Sequence, residues 1–586
     1  MGAAEAAKGF VELSARGAGA SDARRTRYVF VTGGVLSGIG KGVVAASLAK
    51  LFQLRGYKVD MIKIDPYLNV DPGTLNPIEH GEVFVCEDVW VFEPAPGYRF
   101  TIAEIDQDFG TYERFLDVNM HPPNNITSGQ VYLTVILRER SGEYLGKTIQ
   151  VIPHITDEIK RRIRMVAERS KPDVLVVEVG GTVGDIEAMP FLEAIRQFRL
   201  ESPPGTTALV HVTLVPYLKT VGQQKTKPTQ HSVKELQSMG LQPDVIIGRS
   251  ETYLTEDVRR KISLFCNVPE EAVISDPDLD VVYELPLVFE GQGLGRYLVK
   301  LLRLDREDPL PQALREWENL VWRYKYPRDK VVIAMPGKYT MIQDSYISIC
   351  EALKHAAAHL GLGVEIRYID SSKFEEDPGL MEEELGKADG ILLTPGFGSR
   401  GVEGMIQAAR YAIENDKVFL GICFGAQLLF VAFCRYVLGL RGAHSTEINP
   451  STPYPVVDLL PEQRGVTAKG GTMRLGAHEV RIVEGTRLYE AYGAKVVRER
   501  FRHRYHIIKD YALMGERHGL RISATDAEGK IVNAVELSTA RWIVGVQFHP
   551  EFKSRALRPA PVYVAFVKAA YEAKTQKARR GGAAAR

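Results

Sequence analysis

Cys423 stands between two glycines in Gly421-Ile-Cys423-Phe-Gly425, after the apolar run 418–422 and before a helical pattern. Glycines two residues either side of a nucleophile permit a sharp strand-to-helix turn that lifts the side chain above a sheet. A helix N-terminus favours the thiolate, which is the reactive form of cysteine. Far along the chain, the strand-like run 542–548 ends in His549-Pro-Glu551. An imidazole there could take the thiol proton, and the carboxylate two residues on could orient the ring. A lone buried cysteine is usually structural. The flanking glycines and the His/Glu pair point instead to acyl transfer by Cys423, His549 and Glu551.

A second chemistry is written near the start. The β-prone run Tyr28-Val-Phe-Val31 enters a loop studded with glycine, and Lys41 opens an alanine-rich helical pattern. A strand, a loop with inward N–H groups and a helix N-terminus form an anion cradle. Lys63, within the next apolar run, adds a second cation. The loop departs from the standard phosphate-binding pattern: five residues separate Gly34 from Gly40, and Gly42 stands where Ser or Thr would hold magnesium. Metal ligands must then come from elsewhere. Asp108, in Asp106-Gln-Asp108, and Glu178, at the end of a strand-like run, are the candidates. The loop 180–187 follows that run, at the strand end where open α/β sheets bind ligands. Lys225-Thr-Lys227-Pro-Thr-Gln230 reads either as a grip for a second triphosphate or as an ordinary exposed loop.

These residues need scaffolds. From Tyr28 to about Leu304, apolar runs such as 174–179, 208–215 and 244–248 alternate with helical patterns, which argues an α/β doubly wound parallel sheet. A charged, Pro-bearing stretch at 305–328 reads as a linker, and a second α/β alternation runs over 329–572. The ends, 1–26 and the basic 573–586, read as disordered. The length of 586 residues suits several domains, and 45% hydrophobic with 25% charged residues is ordinary for a globular protein. A formal charge of +1 gives no general pull toward nucleic acid or membrane. The five cysteines show no CxxC spacing, so neither a zinc site nor a disulfide framework is indicated. No apolar run reaches membrane-spanning length and the first residues lack a hydrophobic signal core, so cytoplasm is the expected location.

In the second half, Thr394-Pro-Gly396-Phe-Gly398, Gly421 to Gln427, His444-Ser-Thr-Glu447 and Gln547-Phe-His-Pro-Glu551 fall in the order found in class I glutamine amidotransferases, which this half resembles. The resemblance implies a flavodoxin-like domain whose cysteine releases ammonia from glutamine. It gives Gly396, Phe424, Gly425, Ala426, Gln427, Glu447 and Arg504 to glutamine, with the Phe424 N–H in the oxyanion hole. Pro395 departs from the pattern: it occupies a glycine position and has no N–H to donate.

The motifs Phe30 to Ser37, Lys63-Ile-Asp-Pro-Tyr-Leu-Asn-Val-Asp-Pro-Gly73, His80 to Val85, Val151 to Thr156, Gly180 to Glu187, Lys225 to His231, Phe265 to Pro269 and Gly470 to Gly476 complete the set. Together they resemble the CTP synthase family from about Tyr28 to Ala570. That resemblance implies a P-loop-like synthetase domain over 27–304 in which ATP phosphorylates O4 of UTP and ammonia displaces the phosphate. It gives Gly38, Ile39, Gly40, Lys41, Gly42, Lys63 and Asp108 to ATP, and Asp108 and Glu178 to magnesium. Ser37, Asp185, Ile186, Glu187, Lys225, Thr226, Lys227, Pro228, Thr229, Gln230 and Lys261 fall to UTP or to inhibitory CTP. It further implies activation by GTP, a homotetramer, and no organic prosthetic group. A second departure is the aromatic and Pro-bearing insert near 89–103, which reads as a hairpin or lid. A related amidoligase acting on a cobyrinate-type acid, or a non-catalytic homologue, are the alternative readings.

Overall fold

A computed structural model describes residues 25–76, 80–338, 343–466 and 470–584. The expected disordered start at 1–26 lies almost wholly outside the described residues. The chain divides into two compact units: 1–67 with 147–314, and 68–146 with 315–586. This grouping cuts across the division read from the sequence, because residues 68–146 pack with the second half.

The first unit is built on parallel strands β1 (Arg27–Gly33), β2 (Val59–Asp65), β3 (Val174–Val179), β4 (Thr207–Leu214), β5 (Val245–Ser250) and β6 (Val273–Pro277). Their order is β6-β5-β4-β1-β3-β2. All six run parallel, so helices cover both faces and the strands read as continuous apolar runs. Strand β1 has β3 on one side and β4 on the other, which makes the loop after β1 a topological switch point. Helix α1 (Lys41–Leu54) leaves that loop and is buried along most of its length. Helix α2 (Lys227–Ser238) follows β4.

The second unit carries β7 (Lys330–Gly337), β8 (Gly363–Asp370), β9 (Gly390–Leu393), β10 (Val418–Ile422), β11 (Val532–Leu537) and β12 (Ile543–Val546). They lie in the order β8-β7-β9-β10-β12-β11, and β12 runs parallel to β10. Helix α3 (Phe424–Tyr436) follows β10 and is almost wholly buried. The insert is a hairpin, Phe84–Ala95 paired with Tyr98–Ile105. It packs on the 471–476 turn, where a Cβ on Gly471 would lie 2.2 Å from the Thr101 carbonyl oxygen.

The tail departs from expectation. Residues 573–584 continue helix α4 (Pro561–Ala584) instead of lying disordered. Their alanine, lysine and glutamine content favours helix, and Lys574 Nζ ties the helix to Asp329 Oδ1 at 2.7 Å. The 305–328 stretch likewise holds a helix, Pro311–Lys325, with Trp317 buried against Phe115. Among the described residues no helix is long and apolar enough to cross a membrane.

Candidate active sites

The strand register assembles the thiol site. Ile422 of β10 lies beside Val546 of β12, so the segments leaving the two strands emerge together, and the Cys423 N–H donates to the Val546 carbonyl at 2.7 Å. Cys423 sits at φ 51°, ψ −103°, a strained backbone for a residue with a Cβ. The flanking glycines are needed for space: a Cβ on Gly421 would lie 2.7 Å from the Gly425 carbonyl oxygen. One on Gly425 would lie 2.4 Å from that of Leu393. The elbow therefore presses its backbone against its neighbours.

His549 Nδ1 pairs with Glu551 Oε1 at 2.7 Å, and both side chains are buried. Burial alone would lower the imidazole pKa. The charges of Glu551 and Cys423 outweigh it and push His549 up to about 10. An imidazole so placed is suited to act as the base for the neighbouring thiol. The Cys423 sulfur receives Gln547 Nε2 at 3.5 Å and donates to the Arg502 carbonyl at 3.7 Å. A cavity of about 60 Å³ opens on Cys423, His549 and Glu551, with Pro395, Gly396 and Phe397 on its wall.

The residues expected to hold glutamine lie around this elbow. Phe424, Gly425, Ala426 and Gln427 form the first turn of α3, where the Ala426 and Gln427 N–H groups donate to the Cys423 carbonyl at 3.1 and 3.2 Å. Gln427 donates to the Tyr505 carbonyl at 2.9 Å and to Gln547 Oε1 at 3.0 Å. Glu447 accepts from the Gly398 N–H at 3.2 Å. Arg504 points to Gln463 and Thr472, at 2.7 and 2.8 Å, and it is Arg502 that lines the cavity. Sequence reasoning missed Lys338, which donates to the Phe397 and Gly398 carbonyls and stands 4.4 Å from the Phe424 ring centroid. Burial lowers its pKa to about 8.

It also missed the contribution of residues 68–146. Glu113, fully buried, accepts from Arg500 at 2.9 Å and from Arg555, two arginines that bracket the His549–Glu551 segment in sequence. Arg502 Nε donates to Glu104 Oε1 at 2.7 Å. Glu82 and Val83 lie on the cavity wall itself. Only long-range packing brings these groups together, so no local pattern could have announced them.

In the first unit, the loop after β1 passes through Val35 at φ 79°, Gly38 at 72° and Gly40 at 92°. Cβ atoms on Gly38 or Gly40 would meet nothing within 4 Å, so these glycines serve backbone conformation and leave room for a ligand. Lys41 Nζ reaches the Gly181 carbonyl at 2.7 Å, and Gly42 is buried in the first turn of α1. Register sets Lys63 beside Glu178, and their side chains pair at 3.1 Å with Asp65 4.0 Å from the same ammonium. Thr32 beside His211 gives a second cross-strand pair: His211 Nδ1 lies 2.9 Å from Thr32 Oγ1 and its Nε2 lies 2.8 Å from Ser232 Oγ. Burial, reinforced by Lys41, lowers the His211 pKa to about 3.

A pocket beside Gly38, Ile39 and Gly40 is lined further by Arg249, Asp276 and Leu285, which the sequence did not single out. Ser37 is exposed on the same loop. Asp185 precedes the turn Ile186–Ala188 and accepts from the Thr182 N–H at 2.9 Å; Ile186 and Glu187 are exposed. Lys225 and Thr226 lead into α2, where Lys227 and Pro228 open the helix and Thr229 and Gln230 are buried. Gln230 Nε2 reaches Thr226 Oγ1 at 3.0 Å, and Lys227 stands 6.0 Å from the Phe265 ring centroid. Lys261 is exposed on the helix Glu256–Cys266. Asp108 opens the helix Asp108–Leu116 in the second unit, where Asp106 accepts from its N–H at 2.9 Å.

A loop with room for a polyphosphate and an elbow suited to acyl transfer, on one chain, fit a glutamine-dependent ligase. The comparisons place the chain more narrowly. Residues 27–304 match the family model of the CTP synthase N-terminus, and 341–569 match that of class I glutamine amidotransferases. The CTP synthase of Pyrococcus abyssi is 55% identical over 94% of this chain and 99% of its own length. That of Methanopyrus kandleri is 52% identical over 93% and 99%. The solved glutaminase domain of Trypanosoma brucei CTPS with bound acivicin is 36% identical over 41% of this chain and 94% of its own, at a TM-score of 0.39. The chain belongs to the CTP synthase family.

Proposed function

We propose that the protein converts UTP to CTP with ATP and ammonia drawn from glutamine, in the cytoplasm. The single observation that carries this reading is the coexistence of an elbow cysteine paired with His549–Glu551 and a nucleotide cradle holding Lys41, Lys63 and Glu178 on one chain of this family. His549 takes the thiol proton, Cys423 attacks the glutamine amide, and Glu551 holds the imidazole in orientation. The Phe424 and Gly396 N–H groups face the oxyanion, with Pro395 stiffening the approach. Pro395→Gly should then change the ratio of glutamine- to ammonia-supported turnover by less than about tenfold, well short of losing an oxyanion donor. A larger gain in glutamine use would show that the proline removes a working donor.

The nucleotide side uses Lys41 and Lys63 for the ATP phosphates. Ser37, Asp185, Glu187, Lys225, Lys227, Gln230 and Lys261 serve UTP or inhibitory CTP. Glu178 supplies a buried carboxylate with hard oxygen donors, which suits magnesium, an ion that takes one or two protein carboxylates and completes its shell with phosphate and water. Glu178 and Asp108 would hold it, and it would neutralise charge on the phosphoryl group in transfer. GTP as activator and a homotetramer belong to the same reading. Mixing the protein with UTP, ATP, magnesium and ammonium should change the ultraviolet absorbance as cytosine forms. An unchanged spectrum would overturn the assignment.

A further inference from the structure

The cavity over Cys423 carries a carboxylate that the mechanism above does not use. Glu82 lines it together with Cys423, His549 and Glu551, and it comes from the segment 68–146. Ser348 Oγ donates to Glu82 Oε2, and Arg114 Nη1 donates to Ser348 Oγ at 3.2 Å. This relay fixes the carboxylate in place. Burial, with the nearby charge of Glu551, raises the Glu82 pKa to about 7. The charges that act on it are those of Glu551, Arg114 and His549. Glu82 shares the cavity wall with His549, the group that would protonate the departing amide nitrogen.

We propose that Glu82 receives the ammonia released at Cys423. When the tetrahedral adduct collapses, the His549 imidazolium gives its Nε2 proton to the amide nitrogen. The C–N bond breaks with its electron pair going to nitrogen, and a thioester remains on Cys423. The NH3 so formed donates a hydrogen bond to the Glu82 carboxylate, which holds it in the cavity against escape to water. No net proton passes to Glu82. Ser348 and Arg114 keep the acceptor oxygen aimed into the cavity and are positioning residues.

The inference rests on the reading of glutamine hydrolysis coupled to UTP amination, and its test separates the two. The full-length protein and its Glu82→Gln and Glu82→Ala variants are supplied with UTP, ATP, magnesium and glutamine, and glutamate and CTP are counted in the same reaction. Absence of CTP from the native chain would overturn the functional reading itself. With native coupling established, Glu82→Ala should form glutamate in at least about threefold excess over CTP, and Glu82→Gln about twofold, within the range of one lost hydrogen bond. A purely structural role would lower both products together and leave their ratio unchanged. Equal amounts of glutamate and CTP from Glu82→Gln overturn the proposal whatever Glu82→Ala does.

Discussion

Both reactive centres sit where a parallel strand turns into a helix with glycines alongside, yet the glycines answer different needs. At Gly38 and Gly40 the backbone takes a positive φ and the space beside it is open. At Gly421 and Gly425 the space is already filled by main chain. The first loop leaves open space beside its backbone; the second is shaped to force one side chain out of a crowded turn. The histidines differ in the same sense. His211 is buried with the Lys41 charge nearby and kept uncharged, whereas His549 is buried against Glu551 and Cys423 and kept protonated.

Removing the nucleophile separates the two centres most sharply. Cys423→Ala should abolish glutamine-supported CTP formation and leave ammonia-supported formation close to native, since the thiolate acts only in acyl transfer. Loss of both activities in a steady-state assay would break the division. Glu178→Gln should act on the other centre and lower both activities by about a hundredfold or more, the scale of one lost electrostatic contact at a reacting group. Asp108→Asn should do the same. Native ammonia-supported rates in either variant would remove that residue from the metal site.

The glycine contrast is tested by a pair of variants. Gly425→Ala forces a methyl group into the Leu393 carbonyl and should cost about 1–3 kcal/mol of packing, with at least a tenfold loss in glutamine-supported turnover. Gly38→Ala meets no atom and should cost only the backbone preference, about 1–2 kcal/mol. Melting temperatures and both turnover numbers decide this; a Gly38 variant damaged in glutamine use would contradict the contrast.

The contrast between the histidines is read out through pH. His211 has a folded pKa of about 3 against 6.5 for the free side chain, so the unfolded chain binds the extra proton between those values. Its contribution to stability is full above about 6.5 and is lost as pH falls, by about 1.4 kcal/mol per unit. His549 has the opposite sign: its raised pKa adds stability below 6.5 that is lost as pH rises through about 10. His211→Gln should flatten the acid side of the stability profile and His549→Gln the alkaline side. Unfolding measured against pH would show whether the two sides exchange.

Much of this was written locally in the chain. The elbow is legible because a nucleophile at a strand–helix turn needs small neighbours, and Lys63 with Glu178 because each lies in a strand-like run. The register that makes them neighbours was not legible, since it depends on which strands pair. Nor could the sequence place Glu82, Glu104 and Glu113 beside the thiol site, because they lie hundreds of residues from Cys423 and are brought there by tertiary packing. Arg502 near the end of the strand Val496–His503 and Arg504 in the bend just past it offer the same chemistry, and only the structure distinguishes the one that lines the cavity. The helical tail was missed because a basic composition was weighed above its helix propensity.

Glu113 gives the grouping of residues 68–146 a practical meaning. One carboxylate pairs with guanidinium groups on both sides of the His549–Glu551 segment, and all three charges are buried. Taking away a partner from such a cluster leaves an uncompensated charge in the interior. A substitution at residue 113, mapped by position alone, would be filed as a nucleotide-domain lesion. Its biochemical phenotype should be that of a damaged glutaminase, so linear position is a poor guide to which half-reaction a variant impairs.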